Sequence, residues 1–430
     1  MIRVLPVRLG RFSRQVGLTF ATQGAVTLFA LGNAAIVARW LGPEGKGALS
    51  LALLLPSMLG LFLGGGIGVA NVYLLSSGRM ELPRLTANST AFAVTGTALG
   101  SLIVGVLMVT GLLQKLVPGV PAWTIVLAMA GLPIALLNGY YGSLLQGLQR
   151  FSSANAISLT QGGLTLAFTA LLVIGLGWGL GGAVAAVLCA GLAALVVTVV
   201  LLRRLGGRFR PRWHRPVMRA TLSFGLRGYV GNVLQFFNYR LDVFIVNYFL
   251  GPAGVGIYGS SVALAELLWY LPNAVGFVIF PKSAATRPEV MNRFTPRVFA
   301  ITLGLTAGGA LVLALTGSYL IDLVYGAAFA SAYGPLLALL PGVVLLGAAK
   351  VLTNEIAGRG YILYNSINSG LGLILTVALD LALIPRYGVL GAAIASSLAY
   401  TVIFFTAIAF YLSVSRRSPR RNPPQGTSAS

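Results

Sequence analysis

A chain of 430 residues with 57% hydrophobic and only 9% charged side chains cannot cover a water-soluble body of this size, since soluble domains run near ~25% charged. A mean hydropathy of +0.87 makes the bilayer its solvent, and unbroken apolar runs of ~20 residues fit spanning helices rather than the ~10-residue alternating strands of an outer-membrane barrel. The net charge of +22 reads as basic loops on one membrane face and not as a nucleic-acid surface; the one cysteine, Cys189, excludes an internal disulfide and the one histidine, His214, a zinc site or His-based triad, so no cofactor or metal is expected.

Twelve helices are predicted, over 16–38, 48–76, 86–113, 122–146, 152–176, 179–202, 229–249, 257–280, 298–321, 335–357, 362–384 and 389–413. Turn chemistry separates them at Leu41-Gly42-Pro43, Val117 to Pro121, Gly251-Pro252 and Pro385 to Gly388. The expected fold class is all-α and polytopic, with an N-terminal six-helix lobe (1–202) and a C-terminal one (229–413). A basic cytoplasmic linker (203–228) joins them, and an Arg-, Pro- and Ser-rich tail (414–430) is expected to be disordered. The basic start runs directly into an apolar stretch that reads as a full span, not as a cleavable signal peptide.

Charge counting sets the orientation. With the N-terminus inside, the cytoplasmic segments carry Arg3, Arg8, Arg11, Arg14, Arg79, Arg84 and Arg150. They also carry eight arginines from Arg203 to Arg227, then Lys282, Arg287, Arg293, Arg297, Arg359, Arg416, Arg417, Arg420 and Arg421, making 24 of the 30 basic residues. Arg39, Lys46, Lys115 and Arg386 fall outside, while Arg240 and Lys350 fall within spans. This bias predicts a multi-pass protein of the cytoplasmic membrane with both termini cytoplasmic.

The two halves repeat. Leu41-Gly42-Pro43-Glu44-Gly45-Lys46-Gly47 recurs as Leu250-Gly251-Pro252-Ala253-Gly254-Val255-Gly256, and Gly179, Gly182 and Ala183 recur as Gly388, Gly391 and Ala392 at the same offset. Six helices per repeat give both halves one orientation, hence a parallel pseudo-twofold repeat.

Few ionisable groups occupy the spans: Arg240, Asp242, Glu266, Lys350, Glu355 and Asp380. A charge at the bilayer centre costs about 2.5–3.5 kcal/mol, so these groups must face one another or a wet cavity. Gln235, Asn238 and Asp242 fall on one helical face; Thr19, Gln23 and Thr27 form a similar stripe on the first helix, and Asn33 corresponds to Asp242 in the repeat. Two polar-lined helices at corresponding positions suit a central path, with interhelical hydrogen bonding as the alternative. Glu355, four residues before Arg359, is expected to be its structural partner. Asp380 is expected near a hydrated outer end, and Glu266 and Lys350 stay open between functional and structural roles. Pro133 and Pro341, at nearly matching places, are hinges or plain kinks. The Gly64 to Gly68 and Gly175 to Gly182 runs lack the strand, lysine and acid of nucleotide loops and read as turns or packing.

The glycine-proline corner, its copy continuing through Gly256-Ile257-Tyr258, and the six-plus-six plan resemble the polysaccharide flippases of the multidrug/oligosaccharidyl-lipid/polysaccharide exporter superfamily. The resemblance covers nearly the whole chain. It implies two lobes around a central cavity and translocation of an undecaprenyl-diphosphate-linked oligosaccharide by alternating access. On that basis Arg240 and Lys350 would attract the diphosphate, with Gln235, Asn238, Gln23 and Asn33 meeting sugar. No ATP-binding motif is present, so an ion gradient would drive the cycle, with Asp242 and Glu266 as candidate couplers. The expected partners are the lipid-linked oligosaccharide, membrane lipids and a polysaccharide polymerase, for a monomeric carrier that is not an enzyme. A cation-coupled multidrug exporter of the same superfamily would share the fold but favour acidic over basic cavity groups. A lipid II flippase is a closer alternative, whose usual fourteen helices exceed the twelve expected here. A membrane glycosyltransferase or polymerase fits poorly, because the outer loops are short and nearly free of acids.

Overall fold

The computed structural model describes residues 9–416, which are helical with short turns and contain no strand among the described residues. Nine helices there are long and apolar enough to span a bilayer. Three of them, Ala21–Gly64, Val233–Ala285 and Leu363–Arg416, are too long to cross once: 44 residues of helix run ~66 Å against a hydrocarbon core of about 30 Å. Each of the three carries a glycine with non-helical backbone, Gly42, Gly251 or Gly388. The nine helices therefore make twelve crossings: α1 (9–41), α2 (43–64, continued by Ile67–Ser76), α3 (Leu82–Val109), α4 (122–147), α5 (151–175), α6 (Gly179–Arg204), α7 (215–250), α8 (252–285), α9 (Pro288–Tyr325), α10 (Tyr333–Gly358), α11 (362–387) and α12 (389–416).

The fold is thus the all-α, twelve-helix, six-plus-six plan, and its corners carry the repeat in their geometry. Gly42 has φ 67 and ψ −173, and Gly251 has φ 68 and ψ −174. A positive φ excludes most side chains, so glycine ends α1 and α7; the proline that follows, with fixed φ and no N–H to satisfy, starts α2 and α8. The next glycines are held closer still. A Cβ on Gly47 would lie 1.7 Å from the Pro252 oxygen, and a Cβ on Gly256 would lie 2.0 Å from the Pro43 oxygen. The two corners meet backbone to backbone, each placing a glycine against the other's proline. Gly179 and Gly388, the other repeated pair, share positive φ values of 53 and 60.

The Gly64 to Gly68 run forms a tight turn, with Gly65 and Gly66 at positive φ. α4 breaks at Ala130 between Ala122–Met129 and Gly131–Gly147; Pro133 lies just past the break, where its ring opposes the Met129 carbonyl. Pro341 sits inside an uninterrupted α10. The 203–228 segment is ordered, and its helical part begins at Arg215 and runs on as α7. Residues 417–430 of the expected tail, with Arg3 and Arg8, lie outside the described residues.

The described chain forms two compact units. The first contains the chain through Val233 together with 243–259 and 319–331; the second contains 234–242, 260–318 and 332 onward. In the second unit α10 is the central helix, with 67% of its apolar stretch buried, whereas α5 in the first is the most peripheral, at 17%.

Candidate functional site

Polar side chains on α7 and α11 build the site, inside the second unit. On α11, Asn368, Gly372, Thr376 and Asp380 recur at steps of four and so share one face. That face meets the Gln235, Asn238 and Asp242 stripe of α7 in parallel register. The Ser369 hydroxyl donates to Gln235 Oε1 at 3.0 Å, and the Thr376 hydroxyl to Asn238 Oδ1 at 3.4 Å. Asp242 and Asp380 follow, one step further along each stripe and both buried. Gly372 opens room between the first two rungs: a Cβ there would come within 2.3 Å of Ile403 and 3.3 Å of the Asn238 amide nitrogen.

A cavity of about 80 Å³ opens beside the ladder, lined by Gln235, Asn238, Tyr239, Lys350, Asn365 and Ser369 among others. Lys350 is the only charged residue in its lining. The Lys350 ammonium donates to Asn273 Oδ1 at 3.1 Å and stands 4.0 Å from the centre of the Trp269 ring. Trp269 is itself fixed, its indole N–H donating to the Val343 carbonyl at 3.0 Å. Tyr239 packs against Trp269 and Tyr400. The cavity therefore offers amides, hydroxyls, one aromatic side chain and one cation, a set suited to hydroxylated and anionic groups.

The structure thus brings together Gln235, Asn238 and Lys350 of the expected site residues, with Asp242 one rung away. Arg240 and Glu266 pair with each other, Arg240 Nη2 lying 3.7 Å from Glu266 Oε2, with both side chains partly accessible. Glu355 and Arg359 form the expected structural pair, almost fully buried, with Arg359 also donating to Asn292 Oδ1 at 2.6 Å. In the first unit Gln23 is exposed, the Thr19 hydroxyl accepts from Asn155 at 2.9 Å, and the Asn33 Oδ1 is buried without a partner.

Asp380 corrects the sequence reading. It is 0% exposed rather than hydrated, and neither carboxylate oxygen has a hydrogen-bond partner among the described residues. Its position near a helix end suggested water; the parallel packing of α11 on α7 encloses it. The four-residue periodicity from Asn368 to Asp380 is the signal that would have found it. No group of three or more His, Cys, Asp or Glu able to hold a metal ion occurs among the described residues.

A family profile described as "Polysaccharide biosynthesis protein" matches residues 36–333, well over half of the chain. The chain belongs to this polysaccharide biosynthesis family. A Shigella flexneri relative assigned as an O-antigen transporter is 23% identical over 388 residues, covering 86% of this chain and 91% of that one. A Haloferax volcanii relative assigned as a flippase is 28% identical over 192 residues, 42% of this chain and 39% of that one. The fold of this family member is that of two kinds of solved transporter. A multidrug resistance MATE transporter of the MOP superfamily in its inward-facing conformation superposes with a TM-score of 0.70 at 18% identity, covering 91% of this chain and 94% of that one. The lipid II flippase MurJ superposes with a TM-score of 0.73 at 14% identity, covering 93% and 90%.

Proposed function

We propose that this polysaccharide biosynthesis protein is a flippase that carries a lipid-linked oligosaccharide, attached through undecaprenyl diphosphate, across the cytoplasmic membrane by alternating access. The observation that carries the proposal is the cavity of the second unit, a polar site in a membrane protein whose one charged lining residue is the cation Lys350. Amides and hydroxyls hydrogen-bond sugar hydroxyls, Tyr239 offers an aromatic surface to a sugar ring, and Lys350 attracts phosphate. Names given to the relatives support the same reading. A drug exporter of this fold would bind lipophilic cations, which Lys350 would repel.

Glu266 is engaged by Arg240 and would be released for coupling only when Arg240 takes another partner, so Asp242 and Asp380 join it as candidate couplers to an ion gradient. An ionised carboxylate buried without donors is costly, so Asp380 must be neutral or accompanied by a cation, and changing that state is a means of coupling. Arg240, partly accessible and balanced by Glu266, can exchange that partner for a diphosphate; its planar fork grips two phosphate oxygens where Lys cannot.

The test is Lys350→Gln in cells whose surface glycan depends on this gene, with folded protein in the membrane measured alongside. Loss of surface glycan with normal protein levels, and unchanged sensitivity to cationic drugs, is expected. Wild-type glycan export together with altered drug efflux would overturn the flippase reading in favour of a drug exporter.

A further inference from the structure

The segment between α6 and α7 is more than a tether. From Arg203 to Arg227 it carries eight arginines and His214 with no Asp, Glu, Asn or Gln. Within the first unit it is pinned at several points. The Arg208 N–H donates to the Thr86 hydroxyl at 2.9 Å and the Arg212 N–H to the Ala87 carbonyl at 3.3 Å, both at the start of α3. Phe209 packs edge-on against Tyr141, Trp213 edge-on against Phe92, and Phe224 stacks on Tyr73 with centroids 4.2 Å apart. The opening turns of α7 are amphipathic at steps of four. Val217, Thr221 and Gly225 are buried, Gly225 so tightly that a Cβ would lie 2.6 Å from the Gly65 oxygen. The opposite face presents Arg215, Arg219 and Ser223, which line a shallow groove with Pro216 and Ala220.

The outcome is a strap whose aromatic side chains face the protein while Arg203, Arg204, Arg208, Arg210, Arg212, Arg215 and Arg219 are exposed. None of the seven is paired with a carboxylate among the described residues. Trp213 stays half-exposed beside them, as suits a side chain at the boundary between headgroups and hydrocarbon. Loop charge for topology would serve equally well on a floppy connection. Pinning the backbone with these seven arginines exposed holds an array of phosphate-binding forks in place before a ligand arrives.

We propose that this strap is a docking surface for acidic glycerophospholipid headgroups, on the leaflet to which the positive-inside pattern assigns it. Charge complementarity selects the partner: clustered arginines beside a spanning helix attract anionic headgroups. The lipid-linked substrate also carries phosphate, but from Arg203 to Arg227 the strap has none of the side-chain amides that line the cavity of the second unit and could meet sugar. Bulk acidic phospholipid is therefore the occupant. The proposal concerns a different surface from the cavity and stands or falls apart from the transport reading.

The test uses the purified full chain in nanodiscs of phosphatidylcholine doped with a fluorescent phosphatidylglycerol, read as energy transfer from tryptophan. Enrichment of the labelled lipid near the protein is expected at low salt, and it should fall steeply at high salt. In Arg215→Gln/Arg219→Gln, which alters only the exposed face and leaves the anchored backbone untouched, enrichment should drop by roughly fivefold per arginine. Arg215→Lys/Arg219→Lys should retain most of it. Equal distribution of fluorescent phosphatidylglycerol and fluorescent phosphatidylcholine around the wild type, or unchanged enrichment in the double glutamine variant, would overturn the proposal. Displacement of the labelled lipid by an equal mole fraction of a polyprenyl diphosphate, which phosphatidylglycerol in turn cannot displace, would overturn the choice of occupant.

Discussion

Gly47→Ala tests the contact between the repeated corners. The added Cβ would sit 1.7 Å from the Pro252 oxygen, about half the distance of ordinary contact, and 2.9 Å from the Gly256 nitrogen, also inside it. Both obstacles are backbone in the first turn of α8, so no side chain can swing aside. The corners must part by more than an ångström or the helices must bend. Overpacking of this kind costs about 1–3 kcal/mol, which converts to a 5- to 150-fold rise in the population with the corners apart. The chain offers a clean reporter, because Cys189 is its only cysteine. In a Cys189→Ser background, Val255→Cys places a thiol at a corner position that is 1% exposed. Maleimide should then label this thiol faster in the Gly47→Ala variant by about that factor, provided labelling is limited by opening. Gly256→Ala should act alike, and combining the two should add little, since one parting of the corners relieves both overlaps. Gly42→Ala is the control: it strains a positive φ but has nothing within 4 Å of its Cβ, so it should destabilise without faster labelling. Equal labelling of Gly47→Ala and its parent, with both well folded, would refute the close contact.

Glu355→Ala should lower thermal stability and membrane abundance by an amount equivalent to about 3–5 kcal/mol, because it leaves Arg359 buried against Asn292 without its carboxylate; a double replacement with apolar residues should recover much of the loss in a melting experiment. Asp380→Asn keeps the shape of a buried, unpartnered acid, so folded protein should be near normal while export loses its response to the ion gradient; an undiminished response would remove Asp380 from coupling. Arg240→Ala breaks only a partly exposed 3.7 Å pair, worth about 0–1 kcal/mol, so abundance should stay near wild type while glycan export falls, with Arg240→Lys retaining a fraction. Wild-type export by Arg240→Ala would assign the residue no part in transport.

The sequence by itself determined the solvent, the number of crossings and the repeat. Hydropathy and helix length are local properties, and no bilayer-spanning backbone other than a helix fits runs of this length. The corner glycines were legible too, because a residue that tolerates positive φ followed by one that lacks an N–H is a local instruction to end one helix and begin another. The Glu355–Arg359 pair could be read for the same reason, both partners lying on one turn of one helix. Partnerships between helices were another matter. Which face of α11 meets α7 depends on packing summed over both helices, so the rungs from Ser369 to Gln235 and from Thr376 to Asn238 emerged only in the folded chain. Asp380 shows the limit most sharply: its neighbours in sequence suggested a hydrated helix end, while its neighbours in space bury it completely. Arg240 could be placed at mid-span from the sequence, but its match with Glu266 required α8 to return beside α7 after the corner at Gly251. The arginines of the connecting segment were countable from the start. Only the tertiary structure decided that their backbone is pinned to α3 and that seven of them, from Arg203 to Arg219, are exposed, because hydrogen bonds and aromatic contacts between distant segments leave no periodic mark in the sequence.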